Sequence, residues 1–356
     1  MPSIEGGGVE KNLFIISNYL IQHYKKISII TLSKKYKNRF NKKIKFVTFN
    51  SNFWDSLGRR KKFLICIFLL IAEILKGNSI VFSFQGNMYS TLICKLLFTK
   101  IIVRSNSSPA GWSNSYLKKI FYKLILNLAD RTIVNSKNFK KQLKSKYNLD
   151  SICVYNPLNI KEIILLSKKK NKYNYFKKGF LNIITVARFS TQKDYPTLIK
   201  ALKKIKSKIK FKAVFVGDGD QLTKINNLIS ESNLQNDISV INGEKNPFPV
   251  LKKSDLFILS SKFEGLPNVI LEALSLNKFV ISSNCPTGPA EILDNGKGGF
   301  LFNVGNHNKL AKQITFFKKN KNICKAKLNY ARRRLFRFDY KVNLNNYKKI
   351  IDKLIV

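Results

Sequence analysis

Two glutamates lie eight residues apart in the apolar stretch FEGLPNVILEALSLNKFVISSNCPTGPAEIL, residues 263–293. Glu264 precedes a Gly-Leu-Pro-Asn turn, and Glu272 follows it within a run that predicts a buried helix. Because an unpaired buried carboxylate is costly, we expect both glutamates to bind something. Pro267 suits the first turn of a helix, where backbone N–H groups point outward and attract negative charge. One carboxylate could hold a sugar and the other a ribose, with phosphates between them, so the pattern indicates a nucleotide sugar.

Two cations come earlier in the chain, in TVARFSTQKDYPTLIKAL, residues 185–202. Arg188 ends a predicted strand, and Lys193 precedes a predicted helix. Cations on both sides of a strand-to-helix turn can clamp a diphosphate and neutralise it as it departs. An ordinary solvated loop would have the same composition, so this piece alone leaves both readings open.

A glycine-rich turn follows the next predicted strand, in VFVGDGDQL. Gly217 and Gly219 would let the backbone approach a ligand closely. Asp218 and Asp220 also spell DxD, a pattern that some metal-dependent transferases use. We favour the glycine-rich turn and predict no metal site.

The elements that must position these residues alternate between short β-branched runs and longer amphipathic stretches, which is typical of parallel sheets with crossover helices. In such sheets ligands bind at the carboxyl ends of the strands, where all these residues lie. The sequence predicts two Rossmann-like domains facing across a cleft. The ten predicted strands lie within residues 26–32, 79–84, 100–105, 131–136, 152–157, 180–188, 211–220, 238–244, 255–261 and 278–284.

The domain limits follow from a Lys-, Asn- and Tyr-rich stretch at 161–178, which we interpret as a linker. We expect an acceptor-binding domain at 1–172, a donor-binding domain at 173–337, and a helix at 338–356 that returns to the first domain. The chain opens on the glycine loop Gly6–Gly8 before a helix, as a phosphate-facing turn would. Almost no strand precedes that loop, so we expect the first strand to be missing.

The net charge of +45 in 356 residues implies an anionic partner, although a general bias towards Lys, Asn and Ile would also produce it. The five cysteines share no ligand spacing and are typical of reduced thiols in a cytosolic protein. The apolar run FLICIFLLIA, residues 63–72, is about half the length of a bilayer span and follows RRKK. It predicts a buried helix or, as an alternative, a helix lying on an acidic membrane.

The stretch around the two glutamates resembles the E-x7-E signature of family-4 retaining glycosyltransferases, which have the two-domain GT-B fold. Arg188 with Lys193, the Gly217–Gly219 turn, SSKFEGLPNVILEAL and CPTGPAEIL follow the order and spacing of that family. GGGVEK is similar to its N-terminal glycine loop, and VYNPLNI to its interdomain stretch. The resemblance covers nearly the whole chain and is strongest in the second half.

The resemblance implies a role for each matching residue. Arg188 and Lys193 would bind the donor diphosphate, Glu264 the hydroxyls of the transferred sugar, and Glu272 the ribose. The remaining implied donor contacts are backbone groups of Gly217, Gly219, Gly265, Leu266 and Asn268. The N-terminal loop of Gly6, Gly7 and Gly8 would approach the phosphates or the acceptor. It also implies catalysis without a metal or other cofactor.

The acceptor side is less well matched, because many family members have a histidine there. The loop RSNSSPAGWSNS, residues 104–115, has none and resembles the Arg-Asn-Ser loop of relatives that build capsule and O-antigen repeat units. Arg104, Asn106 and Trp112 are the predicted acceptor contacts, and a structural role is equally compatible with them.

The sequence therefore predicts a hexosyltransferase that uses a UDP-sugar and a lipid-linked glycan in capsule, O-antigen or lipopolysaccharide synthesis. We expect it in the cytoplasm, peripheral on the acidic inner face of the membrane. A GT-B nucleotide-sugar epimerase or hydrolase is the alternative enzyme, although two histidines leave few acid/base groups. A basic nucleic-acid-binding protein is the alternative from another class. Because no aromatic residues cluster with the cations as in known motifs, we expect no nucleic-acid partner.

Overall fold

The structure is a computed structural model that describes residues 4, 8–33, 36–49, 58–77, 80–106, 116–170 and 174–355, with backbone only at 59, 60 and 116–119. The chain divides into two compact units. The first unit is Met1–Pro157 with Tyr340–Val356, and the second unit is Leu158–Asp339.

The first unit contains two parallel sheets. Strands β1 (Ser28–Ile30) and β2 (Lys45–Val47) pair with each other. The second sheet has the order β3-β4-β5-β6, with β3 at Val81–Ser83, β4 at Ile101–Ser105, β5 at Arg131–Val134 and β6 at Ile152–Cys153. Its helices up to this point are α1 (Gly8–Leu20), α2 (Arg59–Ile74), α3 (Asn87–Leu96), α4 (Tyr116–Asn127) and α5 (Lys137–Tyr147). Every residue of β4 is buried, as expected for a strand covered on both faces.

The second unit is one six-stranded parallel sheet with the order β12-β11-β10-β7-β8-β9. Its strands are β7 (Leu181–Val186), β8 (Phe211–Gly217), β9 (Ile238–Asn242), β10 (Leu256–Leu259), β11 (Phe279–Ser283) and β12 (Phe300–Phe302). Its helices are α6 (Ile160–Ser167), α7 (Tyr195–Ile205), α8 (Leu222–Glu231), α9 (Phe248–Lys253), α10 (Asn268–Ser275), α11 (Gly288–Ile292), α12 (His307–Lys319) and α13 (Lys321–Arg333). The central strand β10 reads Leu-Phe-Ile-Leu and is fully buried, which places the core around it.

The last helix, α14 (Tyr340–Ile355), belongs to the first unit and packs against α1. Leu344 and Tyr347 have no exposed surface. Tyr24 donates a hydrogen bond to Asp352 over 2.8 Å, and the Lys100 ammonium group donates one to the carbonyl oxygen of Leu354 over 2.6 Å. The end of the chain thus completes the core that its beginning starts.

All ten predicted strands are present at the predicted places, and the α/β class is confirmed. The sequence reading missed β2 and β12, which have three residues each. The apolar run 63–72 lies within α2, and none of the helices in the described ranges is long and apolar enough to cross a membrane.

The unit boundary at 157/158 differs from the predicted boundary at 172. The reason is that part of the supposed linker is helical: Asn159 caps α6 by accepting a hydrogen bond from the N–H of Glu162. Helix α6 packs on α9 and α10, and Asn246 donates a hydrogen bond to the carbonyl oxygen of Leu166 over 3.0 Å. These contacts fix α6 in the second unit.

Candidate active site

One edge of the second unit's sheet collects the predicted donor residues, because carboxyl ends of parallel strands meet at one edge. Arg188 follows β7 by two residues, and Gly217 ends β8. Lys193 ends a 3₁₀ turn, Thr191–Lys193, that leads into α7. Glu264 lies in the loop between β10 and α10. Three loops of the sheet, those after β7, β8 and β10, therefore contribute to a single place.

Lys193 and Glu264, which are 71 residues apart in sequence, form a buried ion pair at this edge. The Nζ atom of Lys193 lies 2.5 Å from Oε1 of Glu264, and the two side chains are 16% and 9% exposed. The hydroxyl of Ser261 donates a second hydrogen bond to the same Oε1 over 2.6 Å. Within the described part of the chain, Oε2 of Glu264 has no hydrogen-bond partner. This oxygen remains available to accept hydrogen bonds from a ligand hydroxyl.

The loop before α11 holds the Glu264 backbone in place. The hydroxyl of Thr287 donates to the carbonyl oxygens of Glu264 and Gly265 over 2.6 and 2.9 Å. The N–H of Gly288 donates to the carbonyl of Gly265 over 2.7 Å, and a Cβ atom on Gly288 would overlap that oxygen. The N–H of buried Gly265 has no acceptor among the described residues, so it can donate to a ligand.

Lys193 is fixed by its own backbone and by its neighbours. The hydroxyl of Ser260 donates to the carbonyl oxygen of Lys193 over 2.8 Å. The side chain of Gln192 donates to the carbonyl oxygen of Phe263 over 2.8 Å. Asp194, the next residue, has a left-handed φ of 48°, and its carboxylate accepts a 2.7 Å hydrogen bond from Thr197. The ammonium group therefore projects from a rigid turn, which lowers the entropic cost of using it in binding.

Arg188 differs from Lys193 because its side chain is exposed and has no hydrogen-bond or ion-pair partner among the described residues. Its backbone is nevertheless held on both sides. The N–H of Phe189 donates to the carbonyl of Asp218 over 2.8 Å, and Tyr195 donates to the carbonyl of Ala187 over 2.9 Å. A free guanidinium on a fixed backbone suits a diphosphate, which it can bind through two parallel hydrogen bonds.

Gly217 and Gly219 pack against the backbone beside Arg188. A Cβ on Gly217 would overlap the carbonyl oxygen of Ala187, and one on Gly219 would overlap that of Phe189. Gly219 also has a φ of 152°, which other residues rarely adopt. From the sequence we predicted that these glycines let the backbone approach a ligand closely. In the structure they allow close approach to the chain itself and thereby position Arg188.

Glu272 lies in the second turn of α10, where it is 6% exposed. Pro267 is the N-cap of this helix and Asn268 is its first residue. The proline therefore lies one residue before the first turn, in which the sequence placed it. Leu266 is buried in the turn between Glu264 and the helix. The helix begins next to Glu264, so its positive end faces the same edge of the sheet.

Cys285 lies close enough to Glu264 to feel its charge. Burial, together with the negative charge of Glu264, raises the pKa of the Cys285 thiol to about 12. The thiol therefore stays protonated at neutral pH, which excludes Cys285 as a thiolate nucleophile there.

The predicted acceptor residues lie in the first unit, where the structure describes Arg104 and Asn106. Arg104 has no exposed surface: Nε donates to the hydroxyl of Tyr347 over 3.0 Å, and Nη2 donates to Oδ1 of Asn156 over 2.6 Å. Its guanidinium is therefore turned inward and links β4 to α14, so it offers no direct contact to an acceptor. This corrects the predicted role of Arg104.

Asn106 follows β4 and donates to the carbonyl oxygen of Phe84 over 2.8 Å. Its Oδ1, and Oδ1 of Asn135 just after β5, are buried and have no hydrogen-bond partner among the described residues. Gly8 starts α1 and is exposed, whereas Gly6, Gly7 and Trp112 lie outside the described residues.

Three site residues were not assigned roles from the sequence: Ser261, Thr287 and Gly288. Ser261 precedes Glu264 by three residues, a spacing at which a hydroxyl can reach a side chain in a tight turn. Thr287 and Gly288 lie in CPTGPAEIL, whose Thr-Gly-Pro run predicts a turn but does not show which residues it contacts.

Among the described residues, no three His, Cys, Asp or Glu side chains form a group that could hold a metal, and Asp218 and Asp220 are exposed.

Comparison with solved structures identifies the fold. A glycosyltransferase from Rickettsia africae superposes with a TM-score of 0.80 at 21% identity, covering 100% of this chain and 97% of that one. Anabaena HepE, in complex with UDP and glucose, superposes with a TM-score of 0.79 at 16% identity, covering 99% and 98%. These likenesses show that this chain has the same fold as both proteins, the two-domain GT-B fold.

Comparisons of the sequence show which protein family and which relatives this chain resembles. Residues 166–334 match the family described as Glycosyl transferases group 1, so the second unit carries a domain of that family. An uncharacterised glycosyltransferase of Methanocaldococcus jannaschii is 39% identical over 207 residues, which are 55% of this chain and 50% of that protein. The N-acetylgalactosamine-N,N'-diacetylbacillosaminyl-diphospho-undecaprenol 4-alpha-N-acetylgalactosaminyltransferase of Campylobacter jejuni is 27% identical over 249 residues, 68% and 66% of the two chains. The matched region spans between half and two thirds of these two relatives.

Proposed function

We propose that this chain transfers a hexose or N-acetylhexosamine from a UDP-sugar, with retention, to a lipid-linked glycan during cell-surface polysaccharide synthesis. One observation carries the proposal: Glu264 has one oxygen bound to Lys193 and Ser261, and its other oxygen has no partner in the part of the chain that the structure describes. A carboxylate so fixed accepts hydrogen bonds from sugar hydroxyls, while the adjacent cations attract a diphosphate.

The donor would bind across the edge of the second unit's sheet. Arg188 and Lys193 hold the diphosphate, and the free N–H of Gly265 donates to a phosphate or sugar oxygen. The free oxygen of Glu264 accepts from the sugar, and Glu272 accepts from the ribose. Backbone groups of Leu266 and Asn268, at the positive end of α10, support the same ligand.

In the proposed transfer, an acceptor hydroxyl attacks the anomeric carbon on the face that the diphosphate leaves. A new carbon–oxygen bond forms as the bond to the diphosphate breaks, and the acceptor proton passes to the departing phosphate oxygen. Negative charge grows on the diphosphate during this step, so Arg188 and Lys193 bind the transition state more tightly than the ground state. Neither a metal nor another cofactor is required, and the two glutamates are not the acid/base pair of a glycoside hydrolase.

Relatives support the choice of substrates. HepE was solved with UDP and glucose, and the Campylobacter relative is named for an acceptor on diphospho-undecaprenol. A Staphylococcus aureus relative, 32% identical over 170 residues, is a capsular polysaccharide biosynthesis glycosyltransferase. We expect the enzyme in the cytoplasm, at the inner face of the membrane, where a lipid-linked acceptor would lie. Asn106 and Asn135 have the free amide oxygens that hydroxyl groups of a neutral glycan could satisfy.

The test combines binding with product analysis. UDP and a panel of UDP-sugars are screened for a rise in melting temperature, and the best donor is incubated with polyprenyl-diphosphate-linked saccharides with and without EDTA. We expect one UDP-sugar to stabilise the protein and to give an α-linked product from an α-linked donor at the same rate in EDTA. Inversion at the anomeric carbon, or hydrolysis or epimerisation of the donor with an acceptor present, would contradict the proposal.

A further inference from the structure

Helix α2 exposes an apolar stripe on the first unit. Leu64 and Phe68 are one helical turn apart and are 59% and 70% exposed, and Leu75, just past the end of α2, is 72% exposed. Side chains four and seven residues apart lie on one face of a helix. The exposed stripe therefore runs along the length of α2, on the side opposite buried Leu70 and Ile74.

The next two helices have the same property. On α3, Tyr89, Leu92 and Leu96 have helical spacing and are 59%, 41% and 69% exposed. On α4, Phe121 and Leu124 are 54% and 62% exposed, and the stripe continues to Leu128. Helix α2 contacts α3, and α3 contacts α4, so the three stripes are neighbours. We refer to the exposed apolar side chains from Leu64 to Leu128 as the apolar face.

Phe98 adds to the apolar face at the end of α3. It is 98% exposed and has a left-handed φ of 50°, an uncommon conformation for a bulky residue. Eleven of the twenty-one exposed large hydrophobic residues in the described part of the chain lie between Leu64 and Leu128. Single exposed apolar residues are normal on protein surfaces, but such a concentration marks an interaction site.

The charges around the apolar face indicate its partner. From Gly58 to Arg131 the sequence has twelve Lys and Arg residues, of which Arg104 is turned into the core, and two acidic residues. Both acids are already paired, Glu73 with Lys45 and Lys76, and Asp130 with Lys95. Lys61 and Lys123 are exposed beside Leu64 and Leu124. Two copies of so basic a surface would repel each other, whereas an anionic bilayer would attract it.

We propose that the apolar face binds an anionic lipid bilayer, with α2, α3 and α4 lying along its surface and their apolar side chains in the boundary between headgroups and acyl chains. Burial of apolar side chains combined with attraction of cations is how interfacial helices bind membranes. This inference deepens the proposed function, since a lipid-linked acceptor lies in such a bilayer, and it names the surface that brings the enzyme there.

The experiment is vesicle co-sedimentation, with phosphatidylcholine vesicles compared with vesicles that also contain phosphatidylglycerol. The variant is F68S/F98S/L124S, in which every changed side chain is exposed. Its matched control is V304S/I323S/F336S, with three exposed apolar residues of the second unit. The UDP-induced rise in melting temperature is measured for all three proteins, so that loss of donor binding is detected separately from loss of membrane binding.

We expect the wild type to bind the anionic vesicles and the control to bind them equally well. The apolar-face variant should bind them at least about tenfold more weakly. The UDP response should be the same in all three. Wild-type protein that stays in solution, or a variant that binds as well as the wild type, overturns the proposal. Light scattering could instead show that the wild type and the control are dimers, that the apolar-face variant is a monomer, and that none of the three binds vesicles. That result would assign the apolar face to a second copy of the chain. A missing UDP response in the wild type contradicts the proposed function and leaves the vesicle result to stand alone.

Discussion

The two units use the same architecture, a parallel sheet with its loops at the carboxyl ends, but place their charges differently. In the second unit the charged groups stay at the edge of the sheet: Arg188 is exposed, and Glu264 keeps one oxygen free. In the first unit Arg104, the next-to-last residue of β4, is turned into the core. The edge there retains the neutral amides of Asn106 and Asn135.

This difference matches two kinds of ligand. An exposed guanidinium on a fixed backbone and a largely buried ammonium group favour a diphosphate, whose charge increases as it departs. Neutral amide groups favour a ligand with hydroxyls and little charge, such as a glycan. The comparison suggests that the charge at each sheet edge, more than the fold, determines which substrate binds there.

Replacement of Arg188 tests the charged edge most strongly. Arg188→Ala should lower kcat/KM by about 100- to 1,000-fold, since one donor to the developing charge is lost. Its melting temperature should not change, because the side chain is exposed and unpartnered among the described residues. Lys262→Ala removes an exposed cation from a nearby loop and serves as the control. Equal losses of activity in both variants would mean that only the general positive charge matters.

Replacement of Arg104 tests whether the first unit's arginine is structural. Arg104→Met removes the two hydrogen bonds that the buried guanidinium donates to Tyr347 and Asn156. The free energy of unfolding should fall by about 2–4 kcal/mol, while kcat/KM of the folded protein changes little. Tyr347→Phe removes one of these bonds and should cost about 1 kcal/mol. Urea unfolding and initial rates measure the two effects. A stable Arg104→Met protein with a raised KM for the acceptor would restore Arg104 as a contact residue.

Ser261→Ala gives the smallest expected effect and sharpens the account of Glu264. It removes one of the two hydrogen bonds to Oε1 of Glu264 and leaves the ion pair with Lys193. The loss is about 1 kcal/mol, which corresponds to about fivefold in the KM for the donor. Ser230→Ala, on α8 of the same unit, is the control. If the donor KM stayed unchanged, Glu264 would not need Ser261 to keep its position.

Much of the fold could be predicted because its signals are local. The buried strands are short β-branched runs, such as Leu181–Val186 before Arg188, and each is followed by a turn or a helical pattern. The strands Lys45–Val47 and Phe300–Phe302 are too short to show an alternation. Helix α6 was interpreted as part of a linker because its short apolar run is followed directly by a Lys- and Asn-rich segment, which dominates the composition of the stretch.

The site was predictable in its residues but not in its pairings. Glu264, Lys193 and Arg188 stand out by type and by their place after strands. Their roles at the site differ because one pair is buried and the third residue is exposed, and no local pattern shows this. Arg104 illustrates the limit, since its partner Tyr347 is 243 residues away and lies on a helix with no obvious link to it.

The return of α14 to the first unit also has a consequence for the order of folding during synthesis. The second unit is one continuous segment, Leu158–Asp339, and can form its core as soon as that segment has left the ribosome. The first unit begins earlier but lacks Leu344 and Tyr347 of α14 until the whole second unit has been synthesised. Until then the buried Arg104 lacks its partner Tyr347, so the unit that is started first is the unit that is completed last.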